Sequence, residues 1–166
     1  MGLNDIKLEP FILQDLYKKT LVDSDVKIAT QPKSFTTFSF LGNNKKDITI
    51  VVNSNEALHL PDDELNFLLG ILSACKLTME DVAVLNIKKN ESANYQSIAA
   101  SLKAKTVLIF GVDCLEINLP IQFPNYQIQS YNNQVYLTSP SLSIVRNDKV
   151  EKTKLWNCLK QIFSIL

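Results

Sequence analysis

The stretch from Asp47 to Lys89 leaves few alternatives to a strand–helix–strand unit. Ile48, Ile50, Val51 and Val52 form a β-branched apolar run, the mark of a strand buried on both faces. Asp62, Asp63 and Glu64 then place three carboxylates where the first turn of a helix favours negative charge. Leu65, Leu68, Leu69, Ile71, Leu72 and Cys75 follow at helical spacing and supply a wide apolar face. Thr78 and Asp81 have the spacing of a capping box, and Val82, Val84 and Leu85 predict a second buried strand ending at Asn86. Two strands joined through a helix pair in parallel, by a right-handed crossover. The remaining chain is expected to pack on this unit.

Length and composition bound what that packing can be. With 166 residues, 46% of them apolar, the chain can fill one full-sized core, and a second independent domain is not expected. Seventeen basic and 17 acidic residues cancel, so no global field recruits nucleic acid or an anionic membrane. Between Arg146 and Lys160 the basic residues outnumber Asp148 and Glu151, which reads first as a solvated helix face. The three cysteines, Cys75, Cys114 and Cys158, form no CxxC pair, and His59 is the one histidine. A structural zinc site is therefore not expected, and neither is a cofactor. Cys75 and Cys158 fall on apolar helix faces and read as reduced core residues. With no signal pattern and no apolar run of membrane-spanning length, the expected location is the cytoplasm.

Taken in order, the chain opens on an amphipathic stripe: Phe11, Ile12, Leu13, Leu16, Tyr17 and Leu21, with Pro10 near its start. Such a helix either covers its own domain or docks on a partner, and Ser24 to Ser34 reads as a polar linker. This divides the chain into an N-terminal segment with linker, 1–33, and one α/β domain, 34–166. Ser34–Phe40 suggests a strand, and Gly42-Asn43-Asn44 suggests a hairpin turn into Ile48, giving an antiparallel edge. Tyr95, Ile98, Ala99 and Leu102 mark a second helix before the apolar run Thr106–Phe110, which must be a central strand. Gly111 ends it, at a place where α/β sheets often carry a ligand loop.

Tyr126–Gln129 is expected to be extended, Asn132-Asn133 to turn, and Val135–Leu137 to form the last strand. The hydroxyl-rich Thr138–Ser143 then opens a short helix, and Asp148 with Glu151 caps a final one. Its stripe of Leu155, Trp156, Leu159, Ile162, Phe163 and Leu166 is expected to bury Trp156 against the sheet. The expected fold is thus a three-layer α/β domain, with a mainly parallel central sheet, helices on both faces and an antiparallel edge strand.

Chemistry is harder to find. No GxGxxG or Walker-type loop occurs among the four glycines. His59 follows Glu56 in the loop after the first strand, where a lone histidine is more often a loop residue than a catalyst. The serines from Ser139 to Ser143 have neither a GxSxG context nor a histidine partner, and helix capping explains them. Asp62, Asp63 and Glu64 could bind a cation, but their helix-start role already accounts for them. No complete catalytic constellation is present.

The order of pieces carries a resemblance. The βαβ unit ending in Asn86, the strand Thr106–Phe110 before Gly111, and the run TSPSLSIVRNDKVEKTKLWNCLKQI together resemble a uracil-DNA glycosylase scaffold. In that superfamily the last strand leads into a His-Pro-Ser-type loop, a short helix and a Trp-bearing final helix. The resemblance implies a glycosylase-like topology and matches Asn86 to the asparagine that reads a flipped uracil. It also places Thr138 where the loop histidine stands, and Asn53 to Leu58 where the water-holding segment stands. Asn53, Glu56, Asn86, Thr138 and Ser139 would then line a vestigial pocket.

The chain is more similar still to the psi subunit of bacterial DNA polymerase III, a non-catalytic relative of that scaffold. VVNSNEALHLPDDELNFLLGIL resembles its first strand, loop and helix, and SPSLSIVRNDKVEKTKLWNCLKQI its last third. This resemblance implies a non-enzymatic accessory subunit of the clamp-loader assembly. Its partners would be clamp-loader subunits or another replication protein, and any DNA association weak or indirect. Phe11, Leu13, Leu16 and Tyr17 would be the partner-binding anchors. The alternative is a divergent glycosylase-type enzyme or nucleic-acid binder with altered catalytic residues.

Overall fold

The computed structural model describes residues 37–164. Expectations for the amphipathic segment, its anchors Phe11, Leu13, Leu16 and Tyr17, the linker, the boundary at 33/34 and Leu166 lie outside the described residues. The elements run β1 (Phe40–Leu41), β2 (Ile48–Val52), α1 (Asp62–Ala74), β3 (Val82–Asn86), α2 (Tyr95–Leu102), β4 (Thr106–Phe110), β5 (Ile128–Tyr131), β6 (Gln134–Ser139), α3 (Leu142–Asn147) and α4 (Lys149–Phe163). They form one mixed sheet of order β1-β3-β2-β4-β6-β5. Its inner pairings are parallel, while β1 on β3 and β5 on β6 are antiparallel. Among the described residues no helix is long and apolar enough to cross a membrane.

Strand alternation divides the core in two. Ile48, Ile50 and Val52 of β2, Val84 of β3, and Leu108 and Phe110 of β4 share one cluster with Leu68 and Leu72 of α1, Val145 of α3 and Leu155 of α4. Val51, Leu85 and Ile109, one residue out of phase, point the other way and join Ile98 and Leu102 of α2. A one-residue slip would exchange the two sets, so register is strongly specified. Each fully buried Leu or Ile stabilises this arrangement by about 1.5–3 kcal/mol.

The helix ends follow local chemistry. Helix α1 starts at Pro61 without a side-chain cap, and its three first-turn acids supply the compensating charge. Thr78 and Asp81 make the expected reciprocal capping box, around a 3₁₀ turn rather than an α-helix. Asn94 and Ser97 make another at α2. Asp148 caps α4, but Glu151 does not reach back; it turns to Tyr126 and Lys154 instead.

Three expectations need correction. The antiparallel edge strand exists, but it is two residues long and pairs with β3, not in a hairpin with β2. Both sides of β2 are already taken by β3 and β4. Gly42, at φ +109°, passes so close to the start of β3 that a Cβ there would lie 2.1 Å from the Val82 carbonyl oxygen. Tyr126 is not extended but left-handed, at φ 62°, and the strand begins at Ile128. Trp156 is only half-buried: Leu155 and Leu159 take the inward positions of α4, and the indole forms part of a groove wall. Asn132 and Asn133, at φ 51° and 60°, do make the β5–β6 turn.

Candidate functional site

The chain passes from β2 to β3 on one side of the sheet, then to β4 on the other. Ligands of open α/β sheets bind outside the carboxyl ends of the strands at such a switch point, here between β2 and β4. Four of the five proposed pocket residues come from these strand ends: Asn53 follows β2, Asn86 ends β3, and Thr138 and Ser139 end β6.

Asn86 is fully buried. Its Oδ1 accepts the N–H of Ser54 at 3.1 Å and that of Lys88 at 3.2 Å. Its Nδ2 donates to the carbonyl of Ser54 at 2.8 Å, with those of Ala57 and Leu58 at 3.1 and 3.3 Å sharing its second proton. An amide has two donors and two acceptor sites, and all are taken. The side chain is turned onto the chain's own loop and presents no free edge to a base.

Thr138 plays the same part across the switch point. It is buried, and its hydroxyl lies 3.2 Å from the Phe123 carbonyl oxygen and 3.0 Å from that of Pro124. Its own carbonyl accepts the N–H of Tyr126 at 2.9 Å. Ser139, also buried, lies beside the Tyr126 hydroxyl. Thr138 thus ties down the irregular segment before β5.

Gly111 leaves no room at the end of β4. At φ +64°, a Cβ there would meet Ser141 Cβ at 2.9 Å, because the connection into α3 packs directly on it. This close approach explains the glycine. Ser141 itself caps α3 by accepting the Ile144 N–H. The crevice that remains, between Val112–Cys114, Gln122–Asn125 and Thr138, holds about 220 Å³. Binding pockets for small molecules usually hold about 300–1,000 Å³.

The chain matches no protein-family model and no curated protein.

The remaining polar groups do not converge on that crevice. Asn53 donates to a Glu116 carboxylate oxygen at 3.4 Å, and Lys88 approaches the same oxygen at 3.5 Å. These are exposed, long interactions that contribute little. Glu116 also closes a capping box with Asp113, which the spacing D-x-x-E at 113–116 could have announced. Glu56 is exposed, and its charge helps raise the Glu64 carboxyl, after burial of Glu64 itself. His59 is half-buried, and its Nδ1 is enclosed without a hydrogen-bond partner among the described residues. Among the described residues no group of three or more His, Cys, Asp or Glu is placed to hold a metal ion. All three cysteines are free and buried, and burial pushes the thiols of Cys75 and Cys158 up.

Sequence reasoning missed the role of asparagine here. Asn90 does for Ser39 what Asn86 does for Ser54: its Oδ1 accepts the N–H at 3.0 Å and its Nδ2 donates to the carbonyl at 3.1 Å. Each amide substitutes for a neighbouring strand where the backbone ladder has run out.

Proposed function

We propose that this chain is a non-catalytic, psi-like accessory subunit of the clamp-loader assembly, acting by protein–protein interaction on a three-layer, uracil-DNA glycosylase-like scaffold. The observation that carries the non-catalytic part is the engagement of Asn86. A base-reading amide must keep its edge open to a flipped nucleotide, whereas this one holds residues 54–58 in place. The threonine at the histidine position is spent in the same way. The replication part rests on the resemblance of residues 51–72 and 139–162, and on the amphipathic anchors Phe11, Leu13, Leu16 and Tyr17 as a docking peptide.

The direct experiment is an affinity pull-down from extract of the native cell with the full chain as bait. Clamp-loader subunits should be recovered, and should be lost when Phe11, Leu13, Leu16 and Tyr17 are replaced together by serine. A parallel assay of uracil release from single- and double-stranded DNA should show no turnover. Multiple turnovers that Asn86→Ala abolishes would turn the assignment to an enzyme, since the groups lost from this scaffold act on the transition state.

A further inference from the structure

Helices α1 and α4 lie on the same face of the sheet, joined at one end by α3, which packs against both. Between them runs an open groove of about 350 Å³. Phe67, Gly70, Ile71 and Ala74 form the α1 wall, and Leu155 and Trp156 much of the α4 wall. Phe67, Ile71 and Trp156 are each only half-buried, so an apolar surface is left facing solvent.

The charge lining this groove is one-sided. From Leu65 to Ala74, α1 has no charged residue. On α4, Lys149, Lys152 and Lys160 share the helix face of Trp156, at spacings of three and four residues, while Glu151 lies on the opposite face beside Tyr126. No ion pair among the described residues reaches any of the three lysines. Lys152 places its ammonium 5.6 Å from the centroid of the Phe67 ring, across the groove. The α4 wall is therefore cationic and no carboxylate lines the groove opposite it; Asp63, one turn before Phe67, is paired with Arg146 at 3.0 Å.

We propose that this groove takes an amphipathic helix from a partner protein, one whose apolar stripe is flanked by carboxylates. The apolar floor would receive side chains at helical spacing, the usual anchors of a helix in a groove. The lysine row would fix orientation and speed encounter with an acidic flank. The low wall at Gly70 and Ala74 lets a helix approach closely. A small polar ligand would find almost nothing to hold it in register, and a flat lipid surface does not fill a concave site. The groove and its lysine row would take such a helix whether or not the chain joins a clamp loader.

Trp156 is the chain's one tryptophan, so it reports directly on this wall. The test titrates the full chain with a synthetic helical peptide carrying a leucine stripe flanked by glutamates, and with the same peptide bearing lysine for each glutamate. Neither peptide contains an aromatic residue. The glutamate peptide should shift Trp156 emission to the blue in a saturable, salt-sensitive way, and the lysine peptide should bind about tenfold more weakly or not at all. Gly70→Glu, where a Cβ meets nothing within 4 Å, should keep the urea midpoint of the unaltered protein and weaken the glutamate peptide about tenfold. Lys152→Glu should weaken the glutamate peptide and strengthen the lysine one. Equal responses to the two peptides, or indifference to both substitutions, would overturn the proposal. So would a Trp156 shift that tracks protein concentration and dimer formation, which makes the occupant a second copy. Binding that appears only when Leu16 and Tyr17 are replaced by serine would assign the groove to the chain's own segment. Competition by phosphatidylserine vesicles would assign it to a membrane.

Discussion

The Tyr126 hydroxyl donates to a Glu151 carboxylate oxygen at 2.5 Å, joining the segment before β5 to the first turn of α4. Lys154 completes the group: it pairs with Glu151 at 2.8 Å and lies 5.6 Å from the Tyr126 ring centroid. The Cys158 thiol donates to the Tyr126 carbonyl at 3.2 Å. A left-handed tyrosine is costly in isolation, and three tethers from α4, through Glu151, Lys154 and Cys158, hold it there.

That group sets the response to pH. Burial, then the Glu151 carboxylate, pushes the Tyr126 phenol from 10.0 up to about 12. The stability it contributes is fully present below the unfolded phenol value and is lost as pH rises through the folded one. Hydrogen bonds from Lys154 and then Tyr126 hold Glu151 below its ordinary 4.5, so its contribution is present above that value and is lost as pH falls below it. Urea midpoints measured across pH should therefore fall at both ends. Glu151→Gln should flatten part of the acid limb, which Asp81, held low by the Thr78 N–H, also shapes. Tyr126→Phe should flatten part of the alkaline limb, which it shares with Tyr136, also pushed up to about 12 by burial, and with the raised Cys75 and Cys158 thiols. Profiles unchanged in both variants would refute the coupling.

Asn86 predicts a stability defect rather than a functional one. Asn86→Ala leaves the Ser54 N–H and several carbonyls without partners next to a buried cavity, at a cost of about 2–4 kcal/mol. Asn86→Asp still accepts the two N–H groups but faces the three carbonyls with no donor, and should be at least as harmful. A denaturation midpoint like that of the unaltered protein in either variant would show that the loop holds itself.

Trp156 and Leu159 should reverse the order that size alone suggests. Leu159 is 1% exposed and Trp156 lies in the groove wall. Leu159→Ala should cost about 2–5 kcal/mol, and Trp156→Ala about 1–2 kcal/mol, below the usual range for buried aromatics. Chemical denaturation of the two variants side by side decides it.

These cases also show what the sequence could convey. Apolar runs at β2, β3 and β4 were legible because each is buried on both faces, which forces a continuous β-branched composition. The capping box at Thr78 and Asp81 and the turn at Asn132-Asn133 were legible because their chemistry is local. Side-chain amides that replace missing strands were not, because Asn86 reads as a strand end and its partners lie about 30 residues away. The edge pairing of β1 was hidden for a related reason: it depends on which edge the crossovers leave free. The half-exposure of Trp156 depends on the angle between two helices, which periodicity does not encode.

Strand β2 lies inside the sheet, yet its two neighbours arrive at different times. Val82 meets Ile48 through the local unit that α1 closes, while Thr106 must wait until β3 and α2 have also been made. Refolding should start from β2, α1 and β3, and then extend through β4 to β6, as expected when short loops close before long ones. Val84→Ala should then slow refolding, and Leu137→Ala in β6 should mainly hasten unfolding, both read from chevron plots. The opposite pattern would place the nucleus at the other side of the sheet. Until β4 arrives, one side of β2 stands bare, with five apolar or hydroxyl residues and every backbone group on that side unpaired. A newly made chain is at its stickiest in that interval, and the sooner Thr106–Phe110 follows Val82–Asn86, the shorter the exposure.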